Sequence, residues 1–486
     1  MRFSILHISD LHRDLRDEVA NGPLLDSIVR DVQRYPEENP PIFKPALCIV
    51  SGDLIYGVRP SAPAPDKELE RQYTQAVEFL IGLADALFAG DRNRIVLLPG
   101  NHDVSYPAVL ASSVRVEVAT LSKEERQLLV AEFFAPQTSL RWSWSEMCFF
   151  RITNHVLYEA RLEAFTKAYS LFYSGGRSFS LKPEEQFAIF DYPQLNFSIA
   201  ALNSCYRNDP LRRAGAFHPD AINSACRELN KPSRAGRLLA SAWHHSIGGG
   251  PSQDDFLDHE FIQLLIDSGI SLGFHGHQHL HDCVDERYRL GPTQRKMTII
   301  SASTLCADPG NLRPGIPRGY NVVEIDPATW TGRTHTRHMV NASAVLPIWG
   351  PGHFNVTGKS YIDFEIAPPL ASRPAHLDDV LVLERADDLI RRKQWAAAVE
   401  LLKNMRAAPM AQPLLLSALS ELADDKLTRE TLWPPVTNQE IVLVGGAILN
   451  AEGYYAREFL ALDSVSQNND SSVREIRGRI AVRWLK

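Results

Sequence analysis

The sequence lacks any long apolar stretch. No run of apolar residues approaches the roughly 18 that are needed to span a bilayer, so we predict no membrane-spanning segment. The first residues, Met1 to Ser4, lead directly into an apolar run that ends at Asp10, and we therefore expect no removable signal peptide. These two features predict a cytoplasmic protein with no membrane contact.

Cysteine and an excess of positive charge are also missing. The 486 residues include only six scattered cysteines, which is typical of buried free thiols in a reducing compartment. The formal net charge is −7, and this balance argues against nonspecific binding of long nucleic acids through a basic surface. A local basic groove stays open as an alternative.

Five short motifs with metal-binding side chains each follow an apolar run. In chain order they are Asp10-Leu11-His12, Gly52-Asp53, Gly100-Asn101-His102-Asp103, His244-His245 and Gly276-His277-Gln278-His279. The apolar runs are typical of strands buried on both faces, and helical stretches between several of them favour an α/β layer fold. Because ligands collect beyond the carboxyl ends of such strands, we expect the motifs to converge on one cleft.

The side chains in the motifs suit divalent metal ions. Carboxylates, imidazoles and one amide oxygen are ligands for Mn, Fe, Zn or Mg, and the lack of cysteine argues against a structural zinc site. A carboxylate such as Asp53 can bridge two ions with its two oxygens. Two ions roughly 3.5–4 Å apart would clamp the attacking and leaving oxygens of an in-line displacement and lower the pKa of a bound water. Gly52, Gly100 and Gly276 lie beside ligands where the chain must turn sharply.

Taken in this order, the motifs resemble those of the calcineurin-like metallophosphoesterase superfamily, over roughly residues 1 to 340. The resemblance implies a four-layer α/β/β/α sandwich with a dinuclear centre, in which metal-bound hydroxide attacks phosphorus. It implies two divalent ions as cofactors, Mn first, with Fe, Zn, Mg and Ni as alternatives. It assigns Asp10, His12, Asp53 and His279 to one ion and Asp53, Asn101, His244 and His277 to the other. It also implies that His102 is catalytic and that Asp103 orients it.

The residues around the motifs resemble a bacterial phosphodiesterase and nuclease-like branch. The segment from His7 to His12 is similar to this branch, although Arg13-Asp14 departs from its usual continuation. We therefore expect a phosphodiester substrate in a nucleotide, a cyclic nucleotide or a nucleic acid, with a phosphomonoester as the alternative. The pair His244-His245 resembles the family H-H-P motif with Ser246 in the proline position. We assign His244 as the ligand and place His245 behind it, with exchanged roles as the alternative.

Two features outside the motifs are candidates for substrate recognition. Residues 105–190 are rich in aromatic residues at mostly helical spacing, and we predict a helical insertion that either caps the cleft or adds a packing layer. Arg207, Arg212 and Arg213 follow a predicted strand and could bind a substrate phosphate, or they are solvated surface residues.

The last part of the chain has a different composition. We predict a metallophosphoesterase domain over 1–366, a linker over 367–376 and a helical domain over 377–486. The string from Lys393 to Ala398 resembles part of a tetratricopeptide-type hairpin, although the period is irregular. The helical domain would bind a partner protein or form a homo-oligomer, which makes an effector or scaffold role a further alternative. The remaining interpretation is that the helical domain only packs against the catalytic domain and supports it.

Overall fold

The chain forms two compact units, Met1–Arg373 and Pro374–Lys486. The computed structural model describes residues 2–14, 19–135, 138–249, 255–287, 295–341, 345–369, 376–406, 411–450 and 453–484. Of the predicted linker, residues 370–375 lie outside the described part. Each unit has a hydrophobic core of its own.

The described part of the first unit contains sixteen strands and eight α-helices. The strands are β1 (Phe3–Ile8), β2 (Pro45–Val50), β3 (Ile95–Leu97), β4 (Ser113–Val116), β5 (Leu140–Ser143), β6 (Cys148–Ile152), β7 (Phe187–Tyr192), β8 (Phe197–Leu202), β9 (Leu238–Ala242), β10 (Leu272–His275), β11 (Asp282–Arg287), β12 (Lys296–Ser301), β13 (Gly319–Asp326), β14 (Thr331–Met339), β15 (Trp349–Pro351) and β16 (Tyr361–Glu365). The helices are α1 (Asn21–Arg34), α2 (Pro65–Phe88), α3 (Tyr106–Ala111), α4 (Lys123–Phe133), α5 (His155–Glu159), α6 (Glu163–Phe172), α7 (Pro219–Leu229) and α8 (His259–Asp267).

Two large sheets form the centre of this unit. A seven-stranded sheet has the order β15-β14-β13-β1-β2-β3 with β16 paired to β14, and a six-stranded sheet has the order β11-β12-β10-β9-β8-β7. The sheets pack face to face: the Phe3 and Phe197 rings are 5.5 Å apart, and the His7 and Phe274 rings are 5.3 Å apart. With α2 against β2 and α7 against β7 and β8, the predicted α/β/β/α sandwich is confirmed.

The sequence explains why the central strands form. Every residue of β1 is buried, and four of its six side chains are apolar. The other two, Ser4 and His7, lie on opposite faces of the strand, and their polar atoms find partners. His7 Nε2 lies 3.0 Å from Ser51 Oγ, and Ser4 Oγ donates to Phe43 O at 2.7 Å. Such a continuous buried segment suits an inner strand that is covered on both faces.

The prediction of a helical insertion over residues 105–190 needs a correction. The segment contains α3 to α6, but it also contains a three-stranded antiparallel sheet in the order β4-β6-β5. The aromatic residues divide between the two parts. Phe165, Tyr169 and Phe172 on α6 are buried in the main core, whereas Trp142 and Trp144 belong to the small sheet and its turn. In the small sheet the aromatic residues pack as pairs across neighbouring strands and do not form the apolar stripe of a helix.

The described part of the second unit is helical. Its helices are α9 (His376–Arg391), α10 (Trp395–Leu402), α11 (Ala411–Leu422), α12 (Asp425–Leu432), α13 (Asn438–Asn450), α14 (Ala456–Ala461), α15 (Asp463–Ser466) and α16 (Ser471–Trp484). The segment predicted as a repeat-type turn joins α9 to α10, and Lys393 takes the left-handed conformation there with φ 58°. None of the helices in the described residues of either unit has the length and apolar character to cross a membrane.

Candidate metal centre

The five motifs lie at the carboxyl ends of five strands. β1, β2 and β3 are parallel neighbours in one sheet, and β9 and β10 are parallel neighbours in the other. Backbone hydrogen bonds join the loops that follow them. Asp10 N donates to Gly52 O at 3.1 Å, and Gly276 N donates to His244 O at 3.1 Å. Loops from the two sheets meet at one end of the sandwich, where His277 N donates to Asp10 Oδ2 at 3.2 Å.

Asp10, His12 and His279 form one group of converging side chains. His279 Nε2 lies 3.3 Å from Asp10 Oδ1 and 3.2 Å from His12 Nε2. Burial lowers the pKa of His12 to about 3, so its imidazole is neutral and offers a lone pair. Burial would raise the pKa of Asp10, but the nearby His279 and His244 hold that pKa below its ordinary value. The group thus presents one carboxylate and two imidazoles to a common point.

Asn101, His244 and His277 form a second group. Asn101 Oδ1 lies 2.9 Å from His244 Nε2 and 2.8 Å from His277 Nδ1. Burial lowers the pKa of His277 to about 3. Burial also acts to lower the pKa of His244, but the Asp53 carboxylate outweighs it and raises this pKa to about 9. A cation held here would compete with the proton on His244, because a coordinated imidazole is neutral.

Asp53 lies between the two groups. Its Oδ2 atom is 3.9 Å from His12 Nε2 and 3.3 Å from His244 Nε2. Its Oδ1 atom accepts a hydrogen bond from His102 N at 2.8 Å. The bridge through both carboxylate oxygens that the sequence suggests stays a prediction. One oxygen faces both groups, and the other holds the backbone of the loop after β3.

The donor set fits two divalent cations. Two carboxylates, four imidazoles and one amide oxygen without a thiolate match the preferences of Mn, Fe, Zn or Mg. Asp10 Oδ1 is buried and has no hydrogen-bond partner among the described residues. A buried carboxylate oxygen in this situation is costly unless a cation balances it. The residues present are therefore suited to hold the ions.

Backbone geometry also marks the site. Asp10, His12, Asp53, His277 and His279 have φ values of 53°, 44°, 52°, 74° and 52°. A residue other than glycine costs about 1–3 kcal/mol in such a region, and these residues cluster where function requires them. The turns also need glycine for space, because a Cβ on Gly100 would lie 2.1 Å from Asp53 Oδ1.

His102 lies beside the first group, and a carbonyl fixes its ring. His102 Nδ1 donates to Tyr56 O at 2.7 Å, and the His102 ring lies edge-on to His12 with centroids 4.7 Å apart. The predicted contact with Asp103 is not the one that orients this ring. The Asp103 carboxylate instead accepts from Gly100 N at 2.8 Å, from Leu54 N at 3.2 Å and from a tyrosine hydroxyl. Asp103 therefore braces the loops after β2 and β3, because its side chain points into the core rather than along the ring.

His245 lies behind the candidate metal ligands. Its Nε2 accepts from Asn208 Nδ2 at 3.0 Å, so Nδ1 carries the proton and donates it to Ser204 Oγ at 2.8 Å. Both ring nitrogens are occupied away from the two groups. The geometry thus favours His244 over His245 as the ligand.

The three candidate arginines occupy different environments. Arg213 lines a cavity together with Asn101, His102 and His277, so it borders the site. Arg212 lines the adjoining cavity next to the small sheet. The Arg207 guanidinium lies 4.9 Å from the centroid of the Tyr206 ring, and Arg207 is not among the residues that line either cavity.

Three residues at the site were missed from the sequence. Arg313 lines the cleft beside His279, and its Nε donates to Gln278 O at 2.8 Å. Asp255 Oδ2 lies 3.8 Å from His277 Nε2, and the Tyr56 carbonyl holds His102. All three lie on loops that follow β2, β9 and β12. The sequence could have indicated these residues only by their position, because loops that follow the carboxyl ends of strands lie at the same edge of the sheets as the site.

The sequence matches the family model for calcineurin-like phosphoesterases over residues 3–281, which is more than half of the chain. The chain belongs to this family. This phosphoesterase is therefore one of the metallophosphoesterase hydrolases, which depend on two metal ions, and its convergent side chains are candidate ligands for them. No curated protein sequence matches the chain.

Three solved structures resemble this phosphoesterase only distantly. A dimetal phosphatase from Danio rerio is 12% identical, with a TM-score of 0.37 and coverage of 71% of this chain and 98% of that one. An anchor protein of the inner membrane complex of Plasmodium is 11% identical, with a TM-score of 0.33 and coverage of 78% and 93%. A calcineurin-like phosphoesterase from Bacillus subtilis is 10% identical, with a TM-score of 0.25 and coverage of 80% and 98%.

Proposed function

We propose that this phosphoesterase hydrolyses phosphodiesters in nucleotides or nucleic acids with two divalent ions, Mn²⁺ first. The observation that supports a diester is that the cleft continues on both sides of the converging side chains. A cavity of about 870 Å³ extends past His279 and Arg313, and one of about 550 Å³ extends past Arg213. Asn101, His102 and His277 line both. A phosphodiester carries a substituent on each side of phosphorus and suits this shape.

In this proposal each residue near the phosphate has one role. Asp10, His12, Asp53, Asn101, His244, His277 and His279 hold the ions. When bound, two ions polarise the phosphoryl oxygens and make a nucleophile available from water at neutral pH. His102 keeps its Nδ1 proton on Tyr56 O, and in the imidazolium form of the ring Nε2 carries a second proton that it passes to the leaving oxygen. Asp103 acts through the loop that carries His102 and is a positioning residue.

The test uses the full chain loaded with Mn²⁺ and the substrates bis(p-nitrophenyl) phosphate and p-nitrophenyl phosphate. We expect diester turnover that chelation abolishes and Mn²⁺ restores. Asp53→Asn should lose bound metal and activity together. His102→Ala should keep its metal and lose about 10²-fold in kcat, as is typical when a general acid is removed.

His155→Ala is the control, because His155 is exposed on α5 in the same unit. Unchanged diesterase activity in Asp53→Asn or His102→Ala would overturn the assignment of the site. Faster turnover of the monoester than of the diester would instead favour the phosphomonoesterase alternative.

For the second unit we propose binding to a partner protein or to a second copy of the chain. The support is a small number of exposed apolar side chains on a unit with a complete core: Val436 and Val482 are 67% and 59% exposed. Light scattering measures the molar mass of the full chain and of Val482→Glu, and it tests whether the chain binds a second copy of itself. A monomeric mass at every concentration would leave only a heterologous partner, and a monomer that also lacks any partner in cross-linking would contradict the proposal.

A further inference from the structure

A second cavity adjoins the metal cleft. The small sheet of the insertion and the loop after β8 border a cavity of about 1160 Å³, which is somewhat larger than the roughly 300–1,000 Å³ typical of small-ligand sites. One wall is aromatic, with Trp142, Trp144 and Phe149, and another carries Arg212 and Arg213. The proposed function does not use this cavity.

The cavity is continuous with the cleft. Tyr106, Pro210 and Arg213 line it, and the same three residues line the cavity that contains Asn101 and His102. A molecule with its phosphate at the metal-binding side chains can therefore extend along Arg213 into the second cavity without leaving the surface of the protein.

The aromatic wall is packed against its neighbours but remains accessible to solvent. Trp142 packs against Phe149 with ring centroids 4.7 Å apart and against Trp144 with centroids 5.8 Å apart. Trp144 nevertheless remains 78% exposed. Trp144 is therefore a flat aromatic side chain that packs against a neighbour and is still exposed to solvent. Such a side chain can stack on the planar ring of a ligand.

The opposite wall supplies positive charge that the protein does not neutralise. Arg212 Nη1 is buried and has no hydrogen-bond partner among the residues that the structure describes. In the described part of the chain, neither Arg212 nor Arg213 has an ion pair. The neighbouring Arg141 shows the contrast, because Asp209 Oδ2 at 2.6 Å and the Tyr158 hydroxyl occupy its guanidinium. A buried guanidinium N–H without an acceptor is costly, so Arg212 favours an anion. The exposed guanidinium of Arg213, on the same wall, adds a second positive charge beside it.

We propose that this cavity is a recognition site for a dinucleotide substrate. This inference rests on the proposed phosphodiesterase function: the scissile phosphate lies at the metal-binding side chains, the next phosphate pairs with Arg212 and Arg213, and a base stacks on Trp144. The net charge of −7 and the small size of the cationic patch favour a short nucleotide over a long nucleic acid, which needs many phosphate contacts.

The first experiment measures binding without turnover. The full chain is kept in chelator and titrated with the dinucleotide pApA, with AMP and with bis(p-nitrophenyl) phosphate, while the heat of binding is recorded by isothermal titration calorimetry. We expect pApA to bind with a Kd at least tenfold below that of AMP, which lacks the second phosphate. Trp144→Ala and Arg212→Ala should each raise the Kd for pApA about tenfold.

Conservative variants separate recognition from a loss of structure. Trp144→Phe keeps a planar ring and Arg212→Lys keeps a charge, so both should retain most of the affinity for pApA. Leu128→Ala and Arg126→Ala are the controls, since both residues are exposed on α4 of the same insertion, and they should leave the Kd unchanged.

The second experiment compares substrates in the Mn²⁺-loaded chain. The ratio of kcat/KM for pApA to that for bis(p-nitrophenyl) phosphate should fall about tenfold in Trp144→Ala, through KM for pApA. If the aryl diester is not hydrolysed at all, the proposed function fails. If it is hydrolysed but pApA binds no better than AMP, or binds equally well in Trp144→Ala and Arg212→Ala, the recognition site is wrong and the phosphodiesterase stands.

Discussion

Five of the seven side chains that the sequence assigns to metal binding lie on left-handed backbone. Such conformations persist only where the surrounding structure holds them. Here the hydrogen bonds between loops and the close approach of glycines hold them: Gly276 has no room for a Cβ, which would lie 1.8 Å from Ser9 Oγ and 2.6 Å from Asp10 Oδ2. The placement of the ligands therefore depends on residues that bind nothing themselves.

Replacing Gly276 with alanine tests this dependence. The added methyl group must displace the loop that carries His277 and His279 or the side chain of Asp10, so we expect the metal content and the diesterase activity to fall at least tenfold, with a loss of about 1–3 kcal/mol in stability. Elemental analysis, steady-state kinetics and thermal unfolding measure the three effects. Gly310→Ala is the control, because a Cβ there meets nothing within 4 Å. Equal metal content in the two variants would contradict the idea.

Arg313 gives a second prediction at this scale. It lines the cleft and is anchored through Nε to Gln278 O, which lies between two candidate ligands. If it binds a non-bridging phosphate oxygen, Arg313→Ala should raise KM for the diester about tenfold, and Arg313→Lys should restore part of the loss. Metal content should stay unchanged. A normal KM in Arg313→Ala would show that the residue only braces its loop.

The structure brings together the side chains that the sequence predicts as metal ligands, because each lies on a loop that follows a buried strand. It predicted the environment of His102 poorly. Asp103 is adjacent in sequence, but the partner of the ring is the Tyr56 carbonyl, which arrives on another loop. A backbone carbonyl has no signature in a sequence, so only the fold reveals it.

At the scale of elements, the insertion shows where periodicity misleads. The strands β4, β5 and β6 contain four, four and five residues. A strand of four residues places only two side chains on each face, which is too few to distinguish alternation from a helical spacing. The central strands of the two main sheets were recognisable because their apolar runs are continuous and buried, and α2 and α8 were recognisable because they are amphipathic.

The start of α13 yields a prediction about pH. Glu440 Oε2 accepts from Thr437 N, and Glu440 N donates to Thr437 Oγ1, which together form a capping box. Burial would raise the pKa of Glu440, but Arg406 and the backbone N–H groups of Val436 and Thr437 outweigh it and lower the pKa from 4.5 to about 2. The carboxylate therefore adds stability above about pH 4.5, and this contribution is lost as the pH falls towards 2.

We expect Glu440→Gln to lower the stability of the second unit by about 2 kcal/mol at pH 7, since hydrogen bonds to a charged group are lost. The difference from the unchanged chain should shrink between pH 4.5 and pH 2. Thermal unfolding of both proteins over this range measures it. Glu475→Gln on α16 is the control, because Glu475 is exposed. A difference that stays constant with pH would rule out the carboxylate as its source.

At the scale of the whole molecule, the chain divides into two units with separate cores. All candidate metal ligands belong to the first unit. A ligand that binds only folded protein stabilises the unit that holds it, by about 2.7 kcal/mol at a hundredfold excess over Kd. Bound metal should therefore stabilise the first unit against unfolding, and the capping box at Glu440 should stabilise the second unit.

Differential scanning calorimetry of the full chain tests this division. Chelation should lower the unfolding temperature of the first unit, and Glu440→Gln should lower the unfolding temperature of the second unit. A single transition that both treatments shift equally would mean that the two units unfold as one.

The two carboxylate oxygens of Asp53 have separate tasks, and this has a kinetic consequence. Oδ2 faces both groups of metal-binding side chains, while Oδ1 holds the amide of His102. The backbone of the loop after β3 is thus linked to both groups of candidate metal ligands through one planar carboxylate. A product that stays bound against His102 would hold this carboxylate still and slow the exchange of ions, whereas the departure of product would release it. Ion exchange measured with and without bound nucleotide monophosphate should therefore follow the catalytic cycle.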